Sequence, residues 1–358
     1  MQVVRAESPT GDDGITLPTA EALEGVRRLG ERHPGARLRE VVVTRAPELD
    51  ARVDPHGATR VWIALEALQV TGSFKVRGAL TAIDALARER RGRPEVITAS
   101  AGNHGAGVAY AARVLGARAR IVVPRGAPRA KCDRMTSLGA ELLFGPTAHY
   151  DDAEAEARRI SQASGLPFLS AYDDVDVVAG NGGSLGFEIV RALGGVPEVV
   201  LAPFGGGGLA TGLSCAMALD AGEQVGEVRR VWGVQSDVSP AMARSLEAGA
   251  AIERYIPESP SLAEGLEGGV AAAAFARARR AVGGVLVVSE QAIARAMAHV
   301  HQEMGLVIEG SAAAALAPVL EGLPPQIFDE EGGTQRDLVV VLTGRNVDRD
   351  KWEGAALA

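Results

Sequence analysis

Thr71-Gly72-Ser73-Phe74-Lys75-Val76-Arg77-Gly78-Ala79 follows an apolar run, 61–65, and precedes a segment with a helical pattern. The stretch therefore lies at a strand-to-helix junction and places a lysine there. The chain has only three lysines (Lys75, Lys131 and Lys351), and arginine supplies the rest of its 37 basic residues. A desolvated lysine amine can act as a nucleophile or base, whereas the guanidinium of arginine stays protonated. Lys75 is therefore a candidate reactive amine.

The composition is that of an ordinary globular chain, with 47% hydrophobic and 23% charged residues among 358. This length suffices for one large domain or two medium ones. The net charge is −8 and no basic cluster occurs, which argues against nucleic-acid binding. The two cysteines, Cys132 and Cys215, form no CxxC or Cys/His grouping. Neither a disulfide framework nor a metal site is expected.

The first 14 residues are polar and acidic, and they are rich in glycine, aspartate, serine and proline. They lack the pattern of a signal peptide, and no apolar run in the chain approaches the ~18 residues of a membrane span. We expect a flexible arm over 1–14 and a cytoplasmic protein without membrane contact.

From residue 61 onward, short β-branched runs alternate with alanine-rich helical stretches. Such alternation predicts an α/β fold in which a mostly parallel sheet is covered by helices on both faces. Open α/β sheets bind ligands at the C-terminal ends of their strands, where this chain has glycine-rich turns. The predicted strands are 61–65, 96–99, 121–123, 142–144, 199–202, 231–234, 285–288 and 338–342.

A second junction, Ser100-Ala101-Gly102-Asn103-His104-Gly105, follows a predicted strand and opens a helix. Its N–H groups and the side chains of Ser100, Asn103 and His104 can hold a carboxylate, because the helix dipole favours an anion there. A plain turn with an N-cap explains the same segment equally well when it is taken alone.

A third junction, Phe204-Gly205-Gly206-Gly207-Gly208-Leu209, also lies between a predicted strand and a helix. Four glycines leave no Cβ atoms, so consecutive N–H groups can point at one phosphate. Gly205, Gly207 and Ala210 also fit the loose dinucleotide fingerprint G-x-G-x-x-A, which requires an acidic residue at the end of the next strand. This chain has Gln235 there, so phosphate binding is favoured and a nicotinamide-dependent oxidoreductase is the remote alternative.

The fourth junction, Leu342-Thr343-Gly344-Arg345-Asn346-Val347-Asp348, ends the last predicted strand and by itself is a polar turn. Together, the four junctions resemble the fold-type II pyridoxal-phosphate enzymes, and within them the serine/threonine dehydratases. The Ser73-to-Ala79 run is similar to the cofactor-lysine motif, and the other three are similar to the substrate-carboxylate loop, the phosphate-binding glycine loop and the hydroxyl turn at the pyridine nitrogen. The resemblance covers roughly residues 40 to 350.

The resemblance implies a tryptophan synthase β-like fold with two open, mostly parallel sheets covered by helices. It implies a large domain that binds pyridoxal 5'-phosphate (1–94 and 174–358), a small mobile domain (95–173), and a homodimer or larger homo-oligomer. The residues that it assigns to the cofactor are Phe74, Lys75, Asn103, Gly205, Gly206, Gly207, Gly208, Leu209 and Thr343, and those that it assigns to the substrate are Ser100, Ala101, Gly102, Asn103 and His104.

The implied activity is that of an ammonia-lyase, which dehydrates and deaminates L-threonine or L-serine to a 2-oxo acid. Lys75 would carry the cofactor and then take the α-proton of the substrate, while the cofactor accepts the electron pair. Thr343 would offer a neutral hydroxyl to the ring nitrogen, which suits prompt loss of the β-hydroxyl. No metal is implied, and the small molecule that the chain would bind besides its cofactor is the amino-acid substrate.

Departures from the family pattern leave the substrate open. Glu264 stands where an aspartate is common, and Asn181-Gly182-Gly183-Ser184 replaces a Gln-Gly-Thr pattern. The 261–269 segment is similar to dehydratases of hydroxyectoine breakdown, and a 3-hydroxyaspartate dehydratase is a further alternative. A racemase is less favoured, because the racemases of the family have a serine where this chain has Ala101.

Overall fold

The computed structural model describes residues 1–7, 15–328 and 335–357. Its strands are β1 (Gln2–Arg5), β2 (Val43–Arg45), β3 (Thr59–Leu65), β4 (Glu95–Ala99), β5 (Arg118–Val123), β6 (Glu141–Phe144), β7 (Val199–Pro203), β8 (Val231–Ser236), β9 (Gly284–Val288) and β10 (Arg336–Leu342).

The α-helices are α1 (Ala20–Val26), α2 (Leu29–Arg32), α3 (Pro47–Val53), α4 (Lys75–Arg90), α5 (Asn103–Leu115), α6 (Arg129–Ser137), α7 (Tyr150–Ser164), α8 (Val175–Val178), α9 (Ser184–Leu193), α10 (Gly208–Ala221), α11 (Ala241–Ala248), α12 (Ala272–Ala281), α13 (Glu290–Met304), α14 (Gly310–Ala313), α15 (Ala317–Glu321) and α16 (Arg349–Ala356). Short 3₁₀ turns occur at Pro34–Ala36, Glu66–Leu68, Glu264–Leu266 and Pro325–Ile327, and a π-helical turn at Ala179–Gly183. None of the described helices is both long and apolar enough to cross a membrane.

The larger sheet has seven strands in the order β1-β9-β8-β7-β10-β3-β2. Its five central strands are parallel, whereas β1 and β2 pair antiparallel at the two edges. The smaller sheet contains the parallel strands β4, β5 and β6. The predicted fold class, two open and mostly parallel sheets covered by helices, is confirmed.

All eight predicted strands are present. Seven of them are continuous apolar runs that are largely buried, as expected for strands covered on both faces, whereas β6 is partly exposed. The two strands that the pattern does not predict, β1 and β2, are short and lie at edges. The flexible arm expected over 1–14 is wrong for Gln2–Arg5, since these residues pair with β9. Residues 8–14 of that arm lie outside the described residues.

Successive side chains along each strand point to opposite faces of the larger sheet, and apolar residues form a core on both faces. In β7, Val199 and Leu201 pack into the core on one face, and Val200 and Ala202 pack into the core on the other. The smaller sheet does the same, with α5 on one face and α7 on the other. Helix α4 buries its apolar side against α5, so the Lys75-bearing helix lies against the smaller sheet's unit.

A long helical segment, 175–193, passes from α8 through the π-helical turn into α9. It packs closely on α4: a Cβ atom at Gly180 would lie only 2.7 Å from the carbonyl oxygen of Arg77. Within the π-helical turn, Oδ1 of the buried Asn181 accepts a hydrogen bond from the N–H of Gly78 at 2.8 Å. The turn therefore supports the first turn of the helix that begins at Lys75.

The guanidinium of Arg77 is fully buried between two carboxylates. It donates hydrogen bonds of 2.7–2.9 Å to Glu66, which follows β3, and to Glu188 of α9. Glu188 also accepts from the N–H of Val41, and Arg77 also donates to Oγ of Ser184. The cluster therefore fixes α4 to β3, to α9 and to the segment that precedes β2.

Arg77→Met should destabilise the fold by about 3–5 kcal/mol, because it leaves two buried carboxylates without their cation. Urea unfolding of the apoprotein, followed by circular dichroism, measures the change. The control is Arg349→Met, which removes an exposed pair with Glu353 and should leave the midpoint unchanged. Equal midpoints for Arg77→Met and wild type would show that the cluster is not needed.

Candidate active site

The C-terminal ends of the parallel strands lie at one edge of the larger sheet. The register pairs Leu65 of β3 with Leu342 of β10, and Pro203 of β7 with Val234 of β8. The junctions that follow β3, β7 and β10 therefore come together, and the junction after β4 approaches them from the smaller sheet. All four line one cavity of about 860 Å³.

Lys75 is the first residue of α4, and its amine reaches the cavity. Its Nζ donates a hydrogen bond to the carbonyl oxygen of Ala171 at 3.2 Å. A Cβ atom at Gly107 of α5 would lie 3.0 Å from the Lys75 carbonyl, so α5 holds the lysine backbone from one side. Burial lowers the pKa of Lys75 to about 8, although the negative charge of Glu309 acts to raise it. The amine therefore loses its proton far more readily than that of an exposed lysine.

The glycine turn after β7 caps the N-terminus of α10, a helix of 14 residues. Gly207 has φ +84°, and a Cβ there would lie 2.8 Å from the ring of Phe204; a Cβ at Gly206 would lie 2.6 Å from the ring of Tyr172. The fold itself thus requires these two glycines, which the phosphate argument alone does not foresee. At Gly205 the nearest atoms are 3.4 Å away, so this position is open.

The turn after β10 lies beside the lysine junction. Gly344 forms a β-bridge with Ser73, and the N–H of Phe74 donates to the carbonyl oxygen of Thr343 at 3.2 Å. Thr343 is 3% exposed and lines the cavity, as does Phe74. A neutral hydroxyl residue therefore lies in the same cavity as the amine of Lys75.

The loop after β4 lines the cavity, and its polar side chains form hydrogen bonds within the protein. Oγ of Ser100 accepts a hydrogen bond from the N–H of Gly102 at 3.1 Å, and Ala101 follows with a methyl group. The Asn103 side chain, which the sequence assigns to cofactor and substrate, donates to Oε1 of Glu309 at 2.8 Å and accepts from Nδ2 of Asn346 at 2.6 Å. Much of the hydrogen-bonding capacity of this amide is therefore used within the protein.

His104 points inward and is neutral. Burial and the neighbouring Lys75 lower its pKa to about 3. Since Oγ1 of Thr98 donates to the carbonyl oxygen of Leu169 at 2.7 Å, it accepts from Nε2 of His104 at 3.0 Å. The proton therefore lies on Nε2, and the ring braces the end of β4.

Two further residues of the cavity wall lie outside the predicted set. Burial raises the pKa of Glu309 to about 7, although the hydrogen bonds from Asn103 and from the N–H of Asn346 act to lower it. Asn346 also donates to the carbonyl oxygen of Thr71 at 2.9 Å and accepts from Arg134 at 2.7 Å. Asn346 stands within the last polar turn that the sequence marks, whereas Glu309 lies outside the four junctions.

These residues fit pyridoxal phosphate better than a dinucleotide. An amine with a lowered pKa, an open glycine turn at a helix N-terminus and a neutral hydroxyl share one cavity, which suits an aldehyde, a phosphate and a ring nitrogen. A dinucleotide needs an acidic group at the end of β8. Gln235 there is buried, and its Oε1 accepts from the N–H of Ala243 at 2.9 Å.

Residues 41–344 match the model of a protein family described as pyridoxal-phosphate dependent enzyme. The chain belongs to this family. It is 37% identical over 292 residues to the L-threonine ammonia-lyase of Thermotoga maritima, covering 80% of this chain and 67% of that protein. It is 34% identical over 331 residues to a putative threonine dehydratase of Sinorhizobium fredii, covering 91% of this chain and 92% of that protein.

Among solved structures, threonine deaminase isoform 2 from Solanum lycopersicum, in its processed form, superposes with a TM-score of 0.79 at 27% identity. The match covers 100% of this chain and 93% of that one. The predicted resemblance to the serine/threonine dehydratases and the predicted pyridoxal 5'-phosphate cofactor are confirmed by these matches.

Gly205→Ala should weaken cofactor binding without weakening the fold. The added methyl group meets the protein only at ordinary contact distance but intrudes on the open turn. Overpacking of this kind costs about 1–3 kcal/mol, which raises the dissociation constant of pyridoxal phosphate ~5- to 150-fold. Fluorescence titration of the apoenzyme measures this constant, and urea unfolding checks stability. An unchanged constant in a stable Gly205→Ala variant would count against phosphate binding at this turn.

Proposed function

We propose that this family member is an ammonia-lyase, which removes water from L-threonine or L-serine and releases a 2-oxo acid and ammonia. The observation that carries the proposal is the shared cavity of Lys75, the glycine turn and Thr343. The relatives from T. maritima and S. fredii, whose names state threonine ammonia-lyase and dehydratase, support it.

Lys75 is proposed to bind the cofactor covalently and to accept the Cα proton of the substrate. Its lowered pKa supports both tasks, since each needs the neutral amine near neutral pH. The bound cofactor supplies a conjugated ring that accepts the electron pair released from Cα. The residues proposed to hold the cofactor are Phe74, Asn103, Gly205, Gly206, Gly207, Gly208, Leu209 and Thr343.

The loop from Ser100 to His104 is proposed to hold the substrate carboxylate. It opens α5, a helix of 13 residues, whose N-terminal N–H groups and dipole favour an anion. Asn103 and His104 take part mainly by shaping this loop, because their side chains are engaged with Glu309 and Thr98.

In the net reaction, the Cα–H and Cβ–O bonds break and water leaves. A later water replaces nitrogen at Cα, which frees ammonia and leaves the 2-oxo acid. Thr343 presents a neutral hydroxyl, which favours prompt loss of the β-hydroxyl over transamination. The unit over 95–173 is proposed to close over the substrate, and the chain is proposed to form a homodimer or larger homo-oligomer.

Lys75→Ala should lower turnover of L-threonine by at least about 10²–10⁴-fold, because the α-proton base is lost. It should also remove the visible absorbance of the lysine-bound cofactor. Ammonia release and 2-oxo acid formation are measured with the cofactor-loaded protein, and added methylamine should restore part of the activity. A variant that keeps near-native turnover, or a wild type that releases no ammonia from either substrate, would show the proposal to be wrong.

A racemase is the second family activity to test. Racemisation needs an acid on the face of the substrate opposite Lys75, and Ala101 has no exchangeable proton. Among the described residues, no group of three or more histidine, cysteine, aspartate or glutamate side chains is arranged to hold a metal ion. By the resemblance, Gln235 and Ala241 correspond to two metal-binding carboxylates of such racemases, and they provide an amide and a methyl group instead.

L-Serine incubated with the enzyme and a chelator should therefore give pyruvate and ammonia without D-serine. Chiral chromatography follows both enantiomers over the course of the reaction. Rapid accumulation of D-serine, or activity that chelation abolishes and magnesium restores, would contradict this assignment.

A further inference from the structure

The two remaining lysines of the chain line the same cavity, although they come from distant elements. Lys131 lies on α6 and Lys351 on α16, and both converge on Glu264. Nζ of Lys131 lies 3.5 Å from Oε2 of Glu264, and Nζ of Lys351 donates a hydrogen bond to Oε1. Burial raises the pKa of Glu264, but the two ion pairs outweigh it and leave the pKa below its usual value.

Lys131 and Lys351, called here the lysine pair, differ from the arginines of the cavity wall. Arg158 is paired with Glu154, and Arg134 donates to Asn346 and to the carbonyl oxygen of Thr71. Ammonium groups are compact point charges that accept a carboxylate in many orientations. The lysine pair therefore has the chemistry of a carboxylate site, and the chain's own Glu264 fills it.

Glu264 lies near Glu309, the carboxyl group that faces Lys75: the charges of Lys131 and Glu264 act on the pKa of Glu309, and the charge of Glu309 acts on the pKa of Lys75. The next residue, Gly265, donates its N–H to Oγ of Ser311 at 2.9 Å, and its carbonyl oxygen lies 3.4 Å from the Cβ position at Gly205 in the glycine turn. The Glu264 side chain is 54% exposed, so its removal opens the cavity wall without disturbing the core. Glu264 already accepts the hydrogen bond of Lys351 and pairs with Lys131, so a second carboxylate on a substrate would have to displace it to reach the lysine pair.

We propose that Glu264 is a specificity-determining residue. By occupying the lysine pair, it excludes β-hydroxy amino acids whose side chain carries a second carboxylate, and it leaves uncharged side chains such as those of threonine and serine unaffected. The physical reason is that a second carboxylate would be placed beside a like charge, which is costly in a partly buried site. This inference rests on the proposed function.

The first test compares L-threonine with L-threo-3-hydroxyaspartate as substrates of the cofactor-loaded enzyme. Glu264→Ala should raise the ratio of kcat/KM for hydroxyaspartate over threonine by about 100-fold, because a repulsive charge becomes a free lysine pair. The matched control is Glu267→Ala, which removes the same charge from the same cavity wall. Glu267 accepts its hydrogen bond from the N–H of Ser261, so this control should leave the ratio unchanged.

The second test asks whether the gain depends on the lysine pair. Adding Lys351→Met to Glu264→Ala should abolish most of the gain with hydroxyaspartate and leave threonine turnover as in the single variant. A gain that persists without Lys351, or a wild type that uses hydroxyaspartate as well as threonine, would overturn the proposal.

A binding measurement keeps the inference testable apart from turnover. Calorimetry on the cofactor-loaded protein gives dissociation constants for succinate, a dicarboxylate, and for butyrate, a monocarboxylate of similar length. Glu264→Ala should tighten succinate binding at least about tenfold and leave butyrate binding as it is. Unchanged succinate binding overturns the role of Glu264, whereas absent turnover of threonine and serine by the wild type overturns the ammonia-lyase assignment alone.

Discussion

The buried guanidinium of Arg77 determines where Lys75 stands. Arg77 lies two residues beyond Lys75 in the first turn of α4, and its partners Glu66 and Glu188 belong to the end of β3 and to α9. Arg77 is 0% exposed, so a shift of α4 would separate opposite charges that are buried away from bulk solvent. The position of the Lys75 amine is therefore fixed by buried charged groups that take no part in the chemistry.

Burial also sets the charge state of the cavity. It lowers the pKa of Lys75 to about 8 and that of His104 to about 3, and it raises the pKa of Glu309 to about 7. All three shifts favour the neutral form, as desolvation does for acids and bases alike. Near neutral pH, protons can therefore move to and from Lys75 and Glu309 at a modest cost in free energy. His104 remains neutral and supports the end of β4 by its hydrogen bond to Thr98.

The sequence allows the parallel core and the four junctions to be predicted, because each depends on local pattern. Continuous apolar runs specify β3 to β10, but β2 has only three residues and takes its place by edge pairing. The convergence of Lys131 and Lys351 on Glu264 could not be predicted, since the three are separated by long stretches of chain. The engagement of the Asn103 amide by Glu309 and Asn346 is likewise tertiary, and so is the contact that makes glycine necessary at position 206.

The π-helical turn at Ala179–Gly183 holds one residue more than a turn of regular α-helix would hold. An α-helix rotates by about 100° per residue, so an extra residue in regular α-helix would swing Glu188 away from Arg77. The wider turn takes up that residue, and α9 keeps its rotational phase relative to α4. Length variation at this point of the chain is therefore compatible with an unchanged charge cluster, and a gap here between aligned sequences need not signal a difference in chemistry.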